Sequence, residues 1–302
     1  MTKPTEVFLA TIFSGNGHAT QASGLLIASS TDGVSFRNIR GGSQTIHTPA
    51  SGVRDPILLY RQGQWYLAYS YGPNVSPLVF IAKSSDLLSW TPVVTLRLTA
   101  DTANNFIDVP QWIVDSAGQV HLIACTDHNH HWVEIHPLSA DPDTWGDPAN
   151  WSPVTTMTDH NGEPLVQGNS FVALRNGTYY MAFNEVAASG YLMRTSADLT
   201  SGWSAPRPLN LARSVNGGDS ENLVFLADGT LRFYISNGNP LKNVIWYVDS
   251  ADLGVTWTSP KVVSFEEFGA TGINWAQFVR FTDPTAIAVL TTVNQVSTER
   301  AR

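Results

Sequence analysis

One frame recurs along this chain: a polar residue, an apolar strand, a tight turn and a second strand of alternating character. Its fullest statement is GVRDPILLYRQGQWYLAYS (52–70). There Arg54, Asp55 and Pro56 precede an apolar run from Ile57 to Tyr60, a turn at Gln62-Gly63 and an alternating strand from Trp65 to Tyr69. Pro56 has no N–H to give a sheet ladder, which places it first in the strand or on an edge and leaves Asp55 outside the hydrogen-bonded part, facing a ligand. Asp55, Asn169 and Glu221 each lie eight residues before a turn glycine, Gly63, Gly177 and Gly229 respectively. Looser copies start at Gln111, before Ala117-Gly118, and at Gln277, before Asp283-Pro284. The five positions are spaced by 56, 58, 52 and 56 residues, and a repeat of that order carrying several short strands is the mark of propeller blades.

Blades bury their faces only against one another, so the repeat predicts one closed all-β domain over residues 1–302, a five-bladed β-propeller. Residues 6–40 hold three strand-like pieces with no strand of the recurring kind ahead of them, and residues 275–292 supply one or two strands with no outer strands after them. The two ends are therefore expected to share one blade and so remove the open sheet edges. The expected blades are 6–50 with 272–293, then 51–103, 104–160, 161–213 and 214–271, followed by a polar, disordered tail at 294–302.

Composition narrows the function classes. Ten Trp and nine Tyr in a chain that is 43% hydrophobic and 14% charged provide ample material for packing between sheets. A net charge of −8 with no basic run argues against a nucleic-acid partner. Cys125 is alone, which excludes an intrachain disulfide, and its setting in HLIAC reads as a buried thiol. No stretch approaches the roughly 18 apolar residues of a membrane span. The first residues lack the long apolar core of a signal peptide, so the sequence reads as cytoplasmic as it stands, and as secreted or periplasmic if a signal peptide has been removed.

Four segments close in a similar way: SSTDGVSF (29–36), SSDLLSW (84–90), TSADLTSGW (195–203) and DSADLGVTW (249–257). Each puts Ser and Asp in a turn before an aromatic-bearing outer strand, and the last matches the Asp-box pattern of sialidase-type propellers. Side chains that bond their own turn amides explain these Asp residues as folding devices. The third blade carries an insertion, ACTDHNHHWVEIHPLSADPDTWGDPANW, in which Asp127, His128, His130 and His131 have ligand chemistry but a spacing that matches no standard metal signature. A polar loop at the pocket rim is the preferred reading and no metal ligand is assigned, with His128 and His131 retained as substrate contacts.

In a propeller, equivalent positions on the innermost strands converge on a central pocket, here Asp55, Gln111, Asn169, Glu221 and Gln277. Two are carboxylates three blades apart in sequence, which in a ring of five sets them nearly opposite. Glycoside hydrolysis needs such a pair, one ionised to activate water or attack the sugar and one protonated to give a proton to the leaving oxygen. The run GVRDPILLYRQGQWYLAYS with FIAKSSDLLSW resembles the opening of family-43-like glycoside hydrolases, five-bladed propellers of arabinofuranosidase and xylosidase type that mostly act by inversion. The resemblance implies that Asp55 is the general base and Glu221 the general acid, and it aligns Asn169 with the Asp that tunes the acid. Three positions depart from the family pattern: Asn222-Leu223 follow Glu221 where Gly-Pro is usual, Asp108-Val109-Pro110-Gln111 replaces a Trp-Ala-Pro-acid element, and Asn169 is an amide. An amide cannot raise a neighbour's pKa by like-charge repulsion, which makes Asp108 and Glu163 candidate substitutes.

Arg54 either pairs with a carboxylate or sugar hydroxyl or ties the strand end to a neighbouring blade. Trp112, Trp132 and Trp275 either stack on sugar or fill the spaces between blades. The expected activity is therefore exo-acting hydrolysis of a plant or microbial oligosaccharide or polysaccharide, releasing a terminal furanosyl or pyranosyl unit, with arabinofuranoside or xyloside favoured. Such chemistry requires no cofactor, and the axial channel is compatible with a structural divalent ion. Two other readings stand beside it. A sialidase-like Asp-box hydrolase would need an arginine triad, for which Arg54, Arg194, Arg213, Arg232 and Arg280 suffice by count. A non-catalytic glycan-binding propeller would account for the amides at 111 and 169.

Overall fold

The computed structural model describes residues 4–13, 24–40, 47, 52–70, 77–99, 107–126, 131–185, 190–212, 215, 220–236, 244–266 and 276–300, the side chains of 185, 220, 221 and 294–300 excepted. Five sheets are formed. Blade one begins with β1 (Val7–Phe13), β2 (Leu25–Ser30) and β3 (Ser35–Asn38). Blade two is β4 (Arg54–Arg61), β5 (Gln64–Ser70), β6 (Leu78–Ser84) and β7 (Thr91–Arg97). Blade three is β8 (Ile107–Val114), β9 (Val120–Thr126), β10 (His131–Ile135) and β11 (Thr155–Thr156). Blade four is β12 (Ser170–Arg175), β13 (Thr178–Glu185), β14 (Gly190–Ser196) and β15 (Arg207–Pro208). Blade five is β16 (Ser220–Phe225), β17 (Leu231–Ser236), β18 (Ile245–Ser250) and β19 (Lys261–Val262). The chain then returns through β20 (Ser264–Glu266) and β21 (Ala276–Phe281) and ends in α1 (Pro284–Arg300).

The order β20-β3-β2-β1-β21 shows how the ring closes. Strand β21 pairs antiparallel with β1, from Val7 opposite Phe281 to Ile12 opposite Ala276, so the two ends of the chain share blade one. On the other edge β20 runs parallel to β3, with Phe265 opposite Phe36. That strand was expected inside the fifth blade; it leaves blade five to cover an edge of blade one that would otherwise be unpaired. Strands β4, β8, β12, β16 and β21 touch one another in a closed cycle, and they therefore line the axis.

Alternation along each strand sends successive side chains to opposite neighbours. On β4, Leu58 packs with Leu9, Ile27 and Phe281 of blade one, whereas Ile57 and Leu59 pack with Leu122 and Ala124 of blade three. Four buried clusters fill the spaces between blades, and the described residues include no helix long and apolar enough to cross a membrane.

The Ser-Asp turns are built as their chemistry demands. In blade one the Asp32 carboxylate accepts from the Ser30 hydroxyl at 2.7 Å and from the amides of Val34 and Ser35 at 2.7 and 2.8 Å. Asp86, Asp198 and Asp252 repeat this pattern, each accepting amide hydrogen bonds two to four residues on, as from Leu88, Thr200 and Thr256. Burial opposes ionisation of Asp32, Asp86 and Asp198, but these donors outweigh it and hold all three below the usual carboxylate range.

The C-terminal end differs from its sequence reading. Residues 284–292 were expected to add strand and 294–302 to be an unstructured tail, yet α1 runs to Arg300. Asp283 caps it, its carboxylate accepting from the amides of Thr285 and Ala286 at 2.7 and 3.1 Å, and Pro284 occupies the first helical position. Ala286, Ile287, Leu290 and Val293 are buried on the cluster that holds Trp65 and Phe281. The cap and the i, i+3, i+4 apolar spacing override the β-branched content of IAVLTTV.

Candidate active site

Strand β4 opens on a β-bulge. Arg54 lies opposite Ser70 and Ile57 opposite Ala68, so Asp55 and Pro56 together face one residue of β5. Asp55 has a positive φ of 48°, a conformation that a residue before proline rarely adopts. Blade three repeats the device: Asp108 lies opposite Cys125, Gln111 opposite Ile123, and Val109, before Pro110, has φ 49°. A β-branched residue in that region is strained by its Cβ, and such strain concentrates at functional sites.

The two bulges meet across the interface between blades. The Arg54 guanidinium lies 3.3 Å from the Asp55 carboxylate and 3.2 Å from that of Asp108. The Val109 amide donates to Asp55 at 3.4 Å, so both carboxylates gather round one guanidinium at the junction of the two blades. The three side chains are 25%, 13% and 9% exposed, enough burial for the charges to act on one another strongly. Burial first, and then the Asp108 carboxylate, raises the pKa of Asp55 well above the ordinary carboxylate range, against the opposing pull of Arg54. The result is one carboxylate of raised proton affinity, beside a second carboxylate and an arginine, at the end of the axis where the innermost strands begin.

Arg54 thus serves both roles considered for it, pairing with carboxylates and joining two blades. Asp108, a candidate substitute for the missing acid, is the carboxylate brought to Asp55. Glu163 is instead exposed in a turn that starts at Asp159. Glu221 falls at the bulge of β16, between Ser220 opposite Ile235 and Asn222 opposite Tyr234, and its side chain lies outside the described residues. Asn169 is half-buried immediately before β12.

Gln111 does not join a central pocket. Gln111 is buried and faces blade four, where its amide donates to the Ser170 carbonyl and accepts from the Val172 amide at 3.0 Å. It therefore holds two innermost strands together, and Asn222 repeats the role between blades five and one by accepting from the Phe278 amide at 2.8 Å. The residue of blade three equivalent to Asp55 is Val109, not Gln111. The repeated X-Pro at 55–56 and 109–110 is the signal that would have given this alignment. Gln277 is buried too, and its backbone carbonyl accepts from the Thr11 hydroxyl at 3.3 Å.

Trp112 is core rather than a sugar platform, stacked at 6.1 Å on Trp145 and 6.4 Å from Trp151, both supplied by the insertion of blade three. Trp132 is fully buried and donates to the Gln167 carbonyl at 3.2 Å. His131 is half-buried beside a cavity of about 500 Å³, which Arg97, Thr99, Thr126 and Thr156 also line. The cavity opens at the same end of the propeller as Asp55, because β7 and β9 end there and β10 begins there. His128 and Trp275 lie outside the described residues, as do Asp127 and His130.

No family model and no curated protein matches the sequence. Solved structures do match in fold. A family GH43 β-1,3-galactosidase holding galactodeoxynojirimycin aligns with a TM-score of 0.60 at 12% identity, over 87% of this chain and 91% of that one. An exo-β-1,3-galactanase from Clostridium thermocellum gives 0.60 at 13% identity over 92% of this chain, which spans 63% of that enzyme's length. An α-L-arabinofuranosidase from Clostridium thermocellum ATCC 27405 gives 0.51 at 14% identity, over 87% and 92%. The fold is the five-bladed propeller of these glycoside hydrolases.

Proposed function

We propose that the protein is an exo-acting, inverting glycoside hydrolase in which Asp55 is the general base and Glu221 the general acid. The observation that carries the proposal is the Asp55, Asp108 and Arg54 cluster, held by two strained bulges at the end of the axis. A base must be ionised to work, yet it accepts a proton better the higher its pKa. Burial and Asp108 raise the proton affinity of Asp55, and Arg54 keeps the ionised form accessible. Water bound against Asp55 gives it a proton as the oxygen attacks the anomeric carbon. The glycosidic C–O bond breaks on the opposite face, and the leaving oxygen takes the proton of Glu221. Inversion then requires about 6.5 to 9.5 Å between the two carboxyl groups, room for the water between base and sugar. The charge of Asp108 beside Asp55 tunes the base.

The released unit is a terminal furanosyl or pyranosyl sugar. Arabinofuranosides and xylosides remain favoured by sequence resemblance, and β-1,3-galactosides join them because the galactosidase and galactanase share the fold. A sialidase-like reading has less support. Arg232 is committed to Asp249 at 2.7 Å and Arg280 to Glu6, while Arg194 donates to the Ser204 carbonyl at 2.7 Å.

The test is turnover of aryl arabinofuranoside, xyloside and galactoside by the wild type, Asp55→Asn and Glu221→Gln, with folding checked by circular dichroism. Activity on one glycoside that falls at least about a thousandfold in each variant is expected, since each removes a group the reaction needs. Full activity in either variant refutes the assignment. Saturable glycan binding without any product from the wild type would instead make the propeller a binding module.

A further inference from the structure

At the end of blade three opposite Asp55 lies a second polar cluster that the hydrolytic reading does not use. Glu134 on β10 is 2% exposed, and one of its carboxylate oxygens, Oε1, lies 2.7 Å from Nδ1 of His121 on β9 and 2.8 Å from Nδ1 of His136 just past β10. The antiparallel register sets Leu122 opposite Ile135, which brings the next pair outward, His121 and His136, face to edge with ring centres 5.5 Å apart. Asp115, just past β8, spends Oδ1 on the amides of Ala117 and Gln119, and its Oδ2 lies 3.5 Å from Nε2 of His121.

This arrangement suits a cation at its centre. A neutral His121 has one ring hydrogen for two carboxylates: on Nδ1 it serves Glu134 at 2.7 Å and leaves Nε2 facing Asp115 at 3.5 Å, on Nε2 it leaves Nδ1 with a lone pair aimed at Glu134, and a positive charge satisfies both sides. A proton could supply that charge. Burial opposes a charged ring, and the Glu134 and Asp115 carboxylates outweigh it, raising the pKa of His121. A metal ion would satisfy more of the cluster at once. Two imidazole nitrogens and one carboxylate oxygen within 4.8 Å of one another are the donor set of borderline transition metals rather than of Ca²⁺ or Mg²⁺, which take oxygen ligands. A carboxylate on the far nitrogen of a ligating histidine is the usual support that fixes its tautomer.

We propose that His121 Nδ1, Glu134 and His136 Nδ1 bind a divalent transition metal of the Zn²⁺ type, with Asp115 orienting His121 and a fourth position left for water. Tetrahedral ligands about 2.0 to 2.1 Å from such an ion stand roughly 3.3 Å apart, so each imidazole nitrogen draws back from Glu134 by about half an ångström to admit it. All the residues belong to blade three: the residue after β8, the start of β9, the end of β10 and the residue after it. His136 also anchors the insertion of that blade, its amide donating to the Ser152 hydroxyl at 3.0 Å. The metal would therefore clamp the root of the segment that delivers Trp145 and Trp151 to Trp112. Its role is structural and independent of turnover.

The experiment is titration of chelator-stripped full-length protein with Zn²⁺ followed by calorimetry and thermal melting, and with Co²⁺ followed by visible absorption. The expected result is one equivalent bound, Co²⁺ bands of a four- or five-coordinate site, and a melting temperature raised by about 4 °C at a hundredfold excess over Kd. Asp115→Asn, which keeps the turn bonds, should weaken binding by about 10- to 100-fold. His136→Gln replaces a half-exposed ring, keeps the fold, and should abolish both the bands and the thermal shift. Failure of the wild type to take up a stoichiometric ion overturns the proposal and leaves a proton as the cation. Uptake unchanged in His136→Gln overturns it equally, because the ion would then lie elsewhere.

Discussion

Gln111→Leu tests whether the innermost strands are stapled by side chains. Leucine fits the same volume but offers nothing to the Ser170 carbonyl and the Val172 amide, both on buried residues of the neighbouring blade. Each backbone group left unpaired in the interior costs about 1 to 3 kcal/mol. Leucine returns about 1 to 2 kcal/mol through its greater apolar burial. The balance for the two groups is a loss of roughly 1 to 4 kcal/mol. Melting entropy scales with length, so for 302 residues each kcal/mol moves the midpoint by about 1.5 °C, and the expected fall is about 1.5 to 6 °C. Differential scanning calorimetry measures the fall, and turnover at a temperature well below the transition should stay within about twofold of wild type. A midpoint shift under about 1 °C together with a large loss of turnover would refute the reasoning. It would return Gln111 to the pocket, where its place in the repeat had first put it.

Two further outcomes follow from charge. The pKa of Asp55 is higher in the fold than in the unfolded chain, so the folded state binds more protons and ionising Asp55 costs stability as pH rises above the unfolded value of about 3.8. Asp55→Asn should therefore melt higher than wild type at neutral pH while losing turnover, with the gain vanishing toward pH 4; a lower melting point at pH 7 would contradict this. Asp252 has the opposite sign. The Thr256 amide and the hydroxyls of Thr256 and Ser250 pull its pKa down to about 2, so its contribution is complete above the unfolded value and disappears as pH falls toward 2. Asp252→Ala should narrow the stability gap from wild type as the solution is acidified through that window, and equal gaps at pH 6 and pH 2.5 in urea melts would rule out the turn as the cause.

Blade pattern and Ser-Asp turns were legible because both rest on local chemistry: strand alternation, turn glycines, and side chains that bond amides a few residues on. The break in the ladder at Asp55 was legible for the same reason, through the proline that follows it. Alignment of blade three failed because the turns differ in length. Arg61 and Gln64 close a two-residue turn, whereas Val114 and Val120 close five residues, so matching Gly63 to Gly118 slid the frame past Val109. Asp108 became visible as a partner of Asp55 only when two bulges 54 residues apart in sequence were brought together. The His121, Glu134 and His136 cluster depends on strand register, which no spacing along the chain encodes. Of the histidine-rich run at 127–131 only His131 is among the described residues, and it lies at the other end of the same strands. Helix α1 was hidden by composition, since Ile, Val and Thr read as strand until the Asp-Pro cap and the burial of Leu290 and Val293 are seen together.

The sharing of blade one between both ends fixes the order in which this molecule can be made. Strands β1 to β3 are the first to be synthesised, yet their inner edge waits for β21 and their outer edge for β20. Throughout synthesis of blades two to five, the oldest sheet offers two unpaired edges to any other chain nearby. The ring is therefore locked by the last strands of the propeller to be made, and the burden of avoiding misassembly falls on the sheet of β1 to β3 long before the ring is closed.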